Sequence, residues 1–305
     1  MKYPRTDLAM EAFDGASGDF PGVHINHWDA SDVRMTEVII DDPAAAEQLG
    51  KPCGVYLTME CPLLRERDSE ARIAMSTLLG EELARLVGGN PEAPVLVVGL
   101  GNRAITPDSL GPLAVDRTLV TRHMAHSGYF HPGMRSVCAI APGVLGVTGV
   151  ETMEIVRSLV REISPRAVLC IDSLAARDSS RIANTIQLTD SGIQPGGGVG
   201  NHRMPLTRET LGVDVIAVGI PTVVYAATLA RDAFATLSAR TGSPCDDADL
   251  EQMERELLCE EIGEMIVTPR EIDALVQDAA TVIASGINRA LQPNLSDSEI
   301  AAMMD

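Results

Sequence analysis

Two aspartates, Asp108 and Asp172, each follow an apolar run that is typical of a strand buried on both faces. Asp108 comes shortly after VLVVGL (95–100), and Asp172 is the last residue of AVLCID (167–172). In open α/β sheets ligands bind outside the carboxyl ends of the strands, so the two carboxyl groups can meet at one sheet edge. Proximity raises the pKa of one of them and leaves a protonated acid beside an ionised base. Such a pair can activate water against a peptide carbonyl and protonate the leaving amine.

Each of these aspartates also has a purely structural interpretation. TPDSLGP (106–112) predicts a helix start, and an acid in the first helical turn complements the helix dipole whether or not it reacts. Asp172 could serve as a helix cap or as a hydrogen-bond acceptor in the loop after its strand. The catalytic interpretation therefore depends on a fold that brings Asp108 and Asp172 together.

Two glycine-rich segments near the aspartates could bind a ligand. GLGNRA (99–104) has the spacing of a dinucleotide-binding turn, but Pro107 interrupts the helix that should hold the phosphates, which favours a tight strand-to-helix turn. LTDSGIQPGGGVGNHR (188–203) allows close approach to a ligand, a moving flap or an ordinary flexible loop. His202 in this loop could join the two aspartates as a metal ligand or carry a proton, although a single loop histidine is more often exposed.

The elements that must position the aspartates are predicted to alternate between strand and helix. The four buried strands are VLVVGL (95–100), SVCAIA (136–141), AVLCID (167–172) and VDVIAVG (213–219). Amphipathic helices lie between them, one of them over 151–163, and this alternation predicts an α/β fold with parallel βαβ units.

Fewer elements are predicted outside this region. Residues 1–50 show no clear periodicity, whereas GVYLTME (54–60) predicts a strand. Helices are predicted to start at Ser69, at Pro221 and at Thr268, the last of them continuing toward Leu291.

The composition excludes several classes of protein. The 305 residues carry 43 Asp and Glu against 24 Lys and Arg, a formal net charge of −19, so we expect no direct contact with nucleic acid. The six cysteines form no C-x-x-C pair and the amino terminus has no apolar signal segment, so we expect a cytoplasmic protein that does not contact a membrane. The sequence contains no Gly-x-Ser-x-Gly or His-Glu-x-x-His segment, which excludes the commonest serine and zinc peptidases.

Long strings of this sequence resemble the spore germination protease family. They are VVGLGNRAITPDSLGPLAV (97–115), APGVLGVTGVET (141–152), AVLCIDSLAARDSSRIANTIQLTDSGIQPGGGVGN (167–201), VIAVGIPTVV (215–224) and VTPREIDALVQDAATVIASGINRAL (267–291). RTDLAMEA (5–12) also matches, so the resemblance covers almost the whole chain. Strings of this length are far more specific than any short motif.

The resemblance implies an α/β fold with a twisted, mostly parallel sheet flanked by helices, similar to the core of hydrogenase maturation proteases. It implies an endopeptidase that is made as a zymogen, assembles as a homotetramer and starts the degradation of small acid-soluble spore proteins during germination, in the cytoplasm of the forespore and spore core. Asp108 and Asp172 match the two aspartates proposed as catalytic in the family, without a cofactor. In the related hydrogenase maturation enzymes the matching acids bind a metal ion, so a divalent metal at this pair stays open.

Members of the family remove their own propeptide by cleavage after an acid and before a hydrophobic residue that Ala follows. Asp7, Leu8 and Ala9 match this pattern. The implied organisation is a propeptide over 1–7 and one α/β peptidase domain over 8–305, with a distinct amino-terminal region over 8–94 and a core over 95–305.

An acid before the scissile bond suggests an arginine in the substrate site, because a guanidinium pairs well with a carboxylate. Arg177 and Arg203 are the candidates, since both lie beside the motif loops.

Three functions stay open on the sequence. The first is a self-processing endopeptidase in which Asp108 and Asp172 share one proton and activate water. The second is a metal-dependent peptidase that uses the same acids, and the third is a non-catalytic protein that binds a small ligand at the glycine-rich segments. The pattern RTDLAMEA (5–12) favours a peptidase, because a binding module would have no reason to carry a cleavage site.

Overall fold

The computed structural model describes residues 6–14, 21–90, 93–126, 133–196, 203–242, 245–257, 259 and 261–304, and nine strands in this part of the chain join into one sheet. The strands are β1 (Val23–Ala30), β2 (Val33–Ile40), β3 (Gly54–Glu60), β4 (Val95–Gly99), β5 (Val137–Ile140), β6 (Ala167–Ala176), β7 (Thr185–Thr189), β8 (Asp214–Tyr225) and β9 (Ile266–Val267). Their order across the sheet is β1-β2-β3-β7-β8-β6-β4-β5, and β9 pairs with β8 outside this path.

Helices flank this sheet. They are α1 (Ala9–Asp14), α2 (Pro43–Leu49), α3 (Pro62–Arg65), α4 (Ser69–Val87), α5 (Leu110–Val115), α6 (Leu145–Thr148), α7 (Thr152–Ile163), α8 (Arg208–Leu211), α9 (Ala226–Arg240), α10 (Asp247–Leu257), α11 (Ile272–Leu291) and α12 (Asp297–Met304). Within the described ranges, none of these helices combines the length and the apolar character that a membrane crossing needs.

One half of the sheet is parallel, as the alternation of strands and helices predicts. The four strands β8, β6, β4 and β5 are neighbours, and their three pairings are all parallel. Val95 and Val97 of β4 pack into the core formed with α4 and α11, whereas Leu96 and Val98 pack into the core formed with α7. Burial on both faces explains why these strands are continuous apolar runs in the sequence.

The other half of the sheet is antiparallel, which corrects the expectation of a mostly parallel sheet. In the described residues the sheet is mixed, with three parallel and five antiparallel pairings. β1 and β2 form a hairpin in a region where the sequence shows no clear periodicity. The reason is the exposure of the edge strand β1, on which His24, Asn26, His27, Trp28 and Asp29 are all exposed, so no apolar alternation marks it.

Two helix starts differ from the sequence predictions. The helix predicted to open at Pro221 begins only at Ala226, because β8 continues to Tyr225. Pro221 is tolerated inside this strand because the β6–β8 register shifts next to it, and a proline in a sheet is found at such irregularities. The helix predicted from Thr268 begins at Ile272, and the Thr268 hydroxyl donates instead to a backbone carbonyl of β8.

Candidate active site

Asp108 lies just beyond the carboxyl end of β4, and Asp172 lies within the adjacent parallel strand β6, which continues to Ala176 and does not end at Asp172 as the sequence predicts. Gly99 of β4 pairs with Ile171 of β6, so Asp172 follows directly after the last paired residue of β6 in this register. Asp108 closes a short 3₁₀ turn (Thr106–Asp108) just beyond β4. Both side chains line the same cleft, and the charge of Asp108 acts on the pKa of Asp172. The structure therefore brings together the two aspartates that the sequence singles out.

The glycines of the turn after β4 hold Asp108 against the end of that strand. Gly101 has a φ of 109°, and a Cβ at this position would lie 2.0 Å from the carbonyl oxygen of Asp108. The N–H of Asn102 donates to the carbonyl oxygen and to Oδ2 of Asp108, each at 2.9 Å. These glycine contacts are those of a tight strand-to-helix turn, in which the backbone has no room for a side chain.

Burial raises the pKa of both carboxyl groups. The pKa of Asp108 rises to about 6, because burial outweighs the hydrogen bond from the N–H of Asn102. The pKa of Asp172 lies well above its usual value because the side chain is buried, and the charges of Asp108 and Asp7 raise it further. The pKa of Asp172 is the more strongly raised of the two, so a single proton shared by the pair is held mainly by Asp172. A proton shared unequally by two carboxyl groups suits acid–base catalysis.

The amino-terminal segment lies in the same cleft, whose volume is about 1920 Å³ and whose lining includes Thr6 and Asp7. The N–H of Asp7 donates to the carbonyl oxygen of Ala175 at 2.9 Å. The N–H of Ala175 donates back to Oδ2 of Asp7 at 2.8 Å. Ala175 lies on β6 beyond Asp172, so the predicted cleavage site is attached to the strand that carries one of the two aspartates.

Gln187 of β7 contacts the chain on both sides of the Asp7–Leu8 bond. Its Nε2 donates to the carbonyl oxygen of Asp7 at 2.9 Å, and its Oε1 accepts from the N–H of Ala9 at 2.7 Å. The side chain is buried, with 6% of its surface exposed. No local pattern in the sequence marks Gln187, because its partners are about 180 residues away along the chain.

The residues after Asp7 are bound in apolar surroundings. Leu8 is fully buried and packs with Leu174, Ala176, Ile182, Ala183, Val224 and Leu275. Ala9 is 2% exposed and packs with residues of β2, α2 and β3, namely Val38, Ile40, Ala45, Leu49 and Tyr56. The cleavage pattern of a hydrophobic residue followed by Ala therefore coincides with two closed apolar pockets.

Glu11 attaches the amino-terminal segment to the rest of the protein four residues after Asp7. Its carboxylate accepts from the backbone N–H groups of Arg177 and Asp178 at 2.7 and 3.0 Å, and Nη1 of Arg181 lies 3.0 Å from it. The pKa of Glu11 is raised because burial outweighs the opposing effect of Arg181. Residues 7–11 are thus held by main-chain, apolar and ionic contacts together.

Lys51 is a partly buried lysine beside the same segment. Its Nζ donates to the carbonyl oxygen of Thr6 at 2.8 Å. Burial lowers the pKa of Lys51, and the negative charges of Asp7 and Glu11 oppose that shift. No motif in the sequence marks Lys51, and its one signal is that the chain contains just one other lysine, Lys2.

The two arginines predicted to bind substrate both line the cleft. The guanidinium of Arg177 lies 2.9 Å from Glu251 and 3.5 Å from Glu254, so its charge is paired within the protein. Arg203 follows the segment 197–202, and its carbonyl oxygen accepts from the side chain of Gln194 at 3.4 Å. Their role in binding substrate stays a prediction.

The residues around the aspartate pair do not form a metal site in the described part of the chain. No group of three or more His, Cys, Asp or Glu side chains among the described residues is arranged to hold a metal ion. A catalytic zinc keeps three protein ligands, and Asp108 with Asp172 supplies two. His202, the third ligand considered on the sequence, lies outside the described residues, as do residues 197–201 of the glycine-rich segment.

Comparison with known proteins gives matches over almost the entire chain. A family model described as germination protease matches residues 6–249 and 241–304. The germination protease of Clostridium acetobutylicum is 41% identical over 323 residues, which cover 98% of each chain. That of Caldanaerobacter subterraneus is 40% identical over 98% of each chain, and that of Bacillus cytotoxicus is 35% identical over 98% of this chain and 96% of its own.

Proposed function

The chain belongs to the germination protease family, and from this premise we propose that it is a self-processing endopeptidase in which Asp108 and Asp172 activate water. The zymogen removes residues 1–7 by cleavage between Asp7 and Leu8, and a single peptidase domain over 8–305 remains. Its substrates are small acid-soluble spore proteins, and it works as a homotetramer in the cytoplasm of the germinating spore.

The observation that carries this proposal is the position of the Asp7–Leu8 segment. The segment lies in the cleft that Asp108 and Asp172 line, and the charge of Asp7 is close enough to raise the pKa of Asp172. The backbone of Asp7 is bound to β6, and the Leu8 side chain fills an apolar pocket. A peptide held in this way beside a pair of acids is the arrangement that hydrolysis requires.

The proposed mechanism divides the work between the two acids. Ionised Asp108 takes a proton from water, and the hydroxide oxygen bonds to the carbonyl carbon of Asp7. Protonated Asp172 gives its proton to the nitrogen of Leu8 as the carbon–nitrogen bond breaks. The products are a carboxylic acid at Asp7 and an amine at Leu8, and the acid then gives its proton to the amine, which leaves a carboxylate and an ammonium group. Transfer of the proton from Asp108 to Asp172 restores the starting state.

The proposed preference for an acid before the scissile bond is supported by two groups around Asp7. The N–H of Ala175 donates to its carboxylate, and the positive charge of Lys51 acts on it. Hydrogen bonds and charge together favour a carboxylate in a site that excludes much of the water. Arg177 and Arg203 are further candidates for acidic groups elsewhere on a substrate.

Mass spectrometry of the purified chain tests the proposal. After incubation between pH 5 and 8 we expect the wild type to lose residues 1–7, and Asp108→Asn and Asp172→Asn to stay intact while their circular dichroism is unchanged. Asp32→Asn is the matched control, because Asp32 is an exposed aspartate in the turn between β1 and β2. Cleavage by either active-site variant at the wild-type rate would contradict the roles of the two acids.

Adding a chelator to the same assay distinguishes a peptidase that uses the aspartates alone from one that needs a metal ion. We expect the cleavage rate to be unchanged by a chelator. Loss of cleavage that a divalent cation restores would favour the metal-dependent peptidase that uses the same acids. A wild-type chain that stays intact at every pH would favour a non-catalytic protein that binds a small ligand in this cleft.

A further inference from the structure

We infer that Gln187 is a further catalytic residue, whose amide group stabilises the oxyanion formed at Asp7 and fixes the peptide across the scissile bond. The inference rests on the proposed cleavage between Asp7 and Leu8. The amide of Gln187 bonds to the carbonyl oxygen before this bond and to the N–H of Ala9 after it. The residue between these two contacts is Leu8, whose nitrogen becomes the leaving group.

The sheet register places Gln187 opposite the acid. Gly219 of β8 pairs with Asp172 of β6 on one side and with Gln187 of β7 on the other. Asp172 and Gln187 therefore lie on the two strands that flank β8. Neighbouring strands are about 4.8 Å apart, so the backbones of Asp172 and Gln187 are separated by about 10 Å. Asp172, Gly219 and Gln187 all line the cleft that contains Asp7. The scissile carbonyl can therefore meet the acid from one side and the amide from the other.

The chemistry at the carbonyl oxygen makes this hydrogen bond stronger during the reaction. When the hydroxide oxygen bonds to the carbonyl carbon, the electron pair of the carbon–oxygen double bond moves onto the oxygen of Asp7. A donor that already points at this oxygen then stabilises the developing negative charge without rearrangement. When the intermediate collapses, the pair returns to the carbon–oxygen bond and the bond to the Leu8 nitrogen breaks. Gln187 keeps its own protons throughout.

A glutamine suits this position better than residues of similar size. A glutamate would accept from the N–H of Ala9 but, when ionised, could not donate to the carbonyl oxygen of Asp7. It would also add a negative charge near Asp7 and Asp172, whose charges already act on one another. A leucine would leave the backbone groups of Asp7 and Ala9 without their present partners in a buried site.

The first test compares rates of self-cleavage in wild type, Gln187→Leu, Ala9→Pro and the double variant. We expect Gln187→Leu to slow cleavage about 10²–10³-fold, which is typical for the loss of one oxyanion donor. Ala9→Pro removes the N–H that makes the second contact, and proline is accepted at the first residue of α1. It slows the wild type but causes no further loss in the Gln187→Leu background. The exposed Gln252→Leu in α10 is the matched control.

The second test uses Gln187→Glu and separates a chemical role from a structural one. A glutamate here has a pKa above its usual value because of burial and the neighbouring acids, and its protonated form regains a donor. We expect the ratio of the variant's rate to the wild-type rate to increase as the pH falls. A ratio that does not change with pH would contradict oxyanion stabilisation.

Hydrogen exchange tests the contact itself without cleavage. In the Asp172→Asn background we expect the amide of Ala9 to exchange at least about tenfold faster when Gln187 is replaced by Leu, since its acceptor is lost. Unchanged exchange, or self-cleavage by Gln187→Leu within about threefold of the wild-type rate, would overturn the inference while the roles of Asp108 and Asp172 stand. A wild-type chain that does not cleave would instead refute the proposed function.

Discussion

The parallel and antiparallel halves of the sheet contribute different parts of the candidate site. The parallel half supplies both acids, Asp108 from the turn after β4 and Asp172 from within β6, and both line one cleft. The antiparallel half presents Gln187 from within β7, and β2 and β3 enclose Ala9. Both acids thus come from the parallel half, whereas the peptide is held by both halves, since Asp7 also bonds to Ala175 of β6. The boundary lies at β8, which is parallel to β6 and antiparallel to β7.

The largest expected effect is the loss of self-cleavage in a variant whose amino-terminal segment stays bound in the cleft. Asp172→Asn is expected to slow self-cleavage by about 10²–10⁴-fold, because general acid catalysis is lost. The amides of residues 7–11 should exchange no faster than in the wild type, since the segment is held by contacts with Ala175, Gln187 and the apolar pockets. Faster exchange in this variant would mean that the parallel half also binds the peptide through Asp172.

The pH profile of self-cleavage gives a second effect in the parallel half. Below the pKa of Asp108, which is about 6, the base becomes protonated and the rate should fall about tenfold per pH unit. At higher pH the rate should fall again as Asp172 loses its proton, because the pKa of that group is raised well above its usual value. A single-turnover profile between pH 4 and 9 checks this shape, and a rate independent of pH would exclude the shared proton.

Lys51 tests the side of the cleft formed with the amino-terminal region. Asp7→Asn should slow cleavage of the wild type about fivefold, which corresponds to one charge–charge contact of about 1 kcal/mol. In Lys51→Met the same substitution should make little difference, because the cation that favours the carboxylate is absent. Lys2→Met is the control at the chain's other lysine. An undiminished preference for Asp7 would assign the recognition to another group.

The smallest expected effect is on stability. Asp108 has a pKa of about 6 in the folded chain against a usual 3.8, so the folded state binds the proton more tightly. Its contribution to stability is present below pH 3.8 and is lost as the pH rises toward and through 6. Urea unfolding at pH 4 and pH 7 should therefore show a smaller difference for Asp108→Asn than for the wild type. An equal difference would show that burial of Asp108 does not affect folding.

Most of the parallel half could be predicted from the sequence, because its strands are buried on both faces. Continuous apolar runs mark β4, β5, β6 and β8, and amphipathic helices separate them. The antiparallel half is harder to predict. The exposed strand β1 has no alternation, and β7 (TIQLT) contains buried polar residues whose partners are remote in sequence. Pro221 misled the prediction for β8, since a proline normally argues against a strand.

The residues of the candidate site also divide into those that the sequence indicates and those that it does not. The positions of Asp108 and Asp172 after buried strands are sufficient to expect them at one edge. The contacts of Gln187, Lys51 and Glu11 depend on segments that meet only when the sheet has formed, so no spacing in the sequence indicates them. Residue types that can bind a peptide backbone are also common throughout the sequence, so their presence alone does not indicate a peptide-binding site.

The burial of Leu8 has a consequence for any second polypeptide. The pockets that hold Leu8 and Ala9 are filled by the chain itself, through a ligand that is covalently attached. A tethered ligand competes at an effective local concentration in the millimolar range, whatever the amount of protein in solution. A foreign peptide that uses the same pockets must therefore exceed that concentration or bind more tightly. The affinity of the chain's own Leu8 and Ala9 for these pockets therefore sets the peptide concentration at which another polypeptide can enter the cleft.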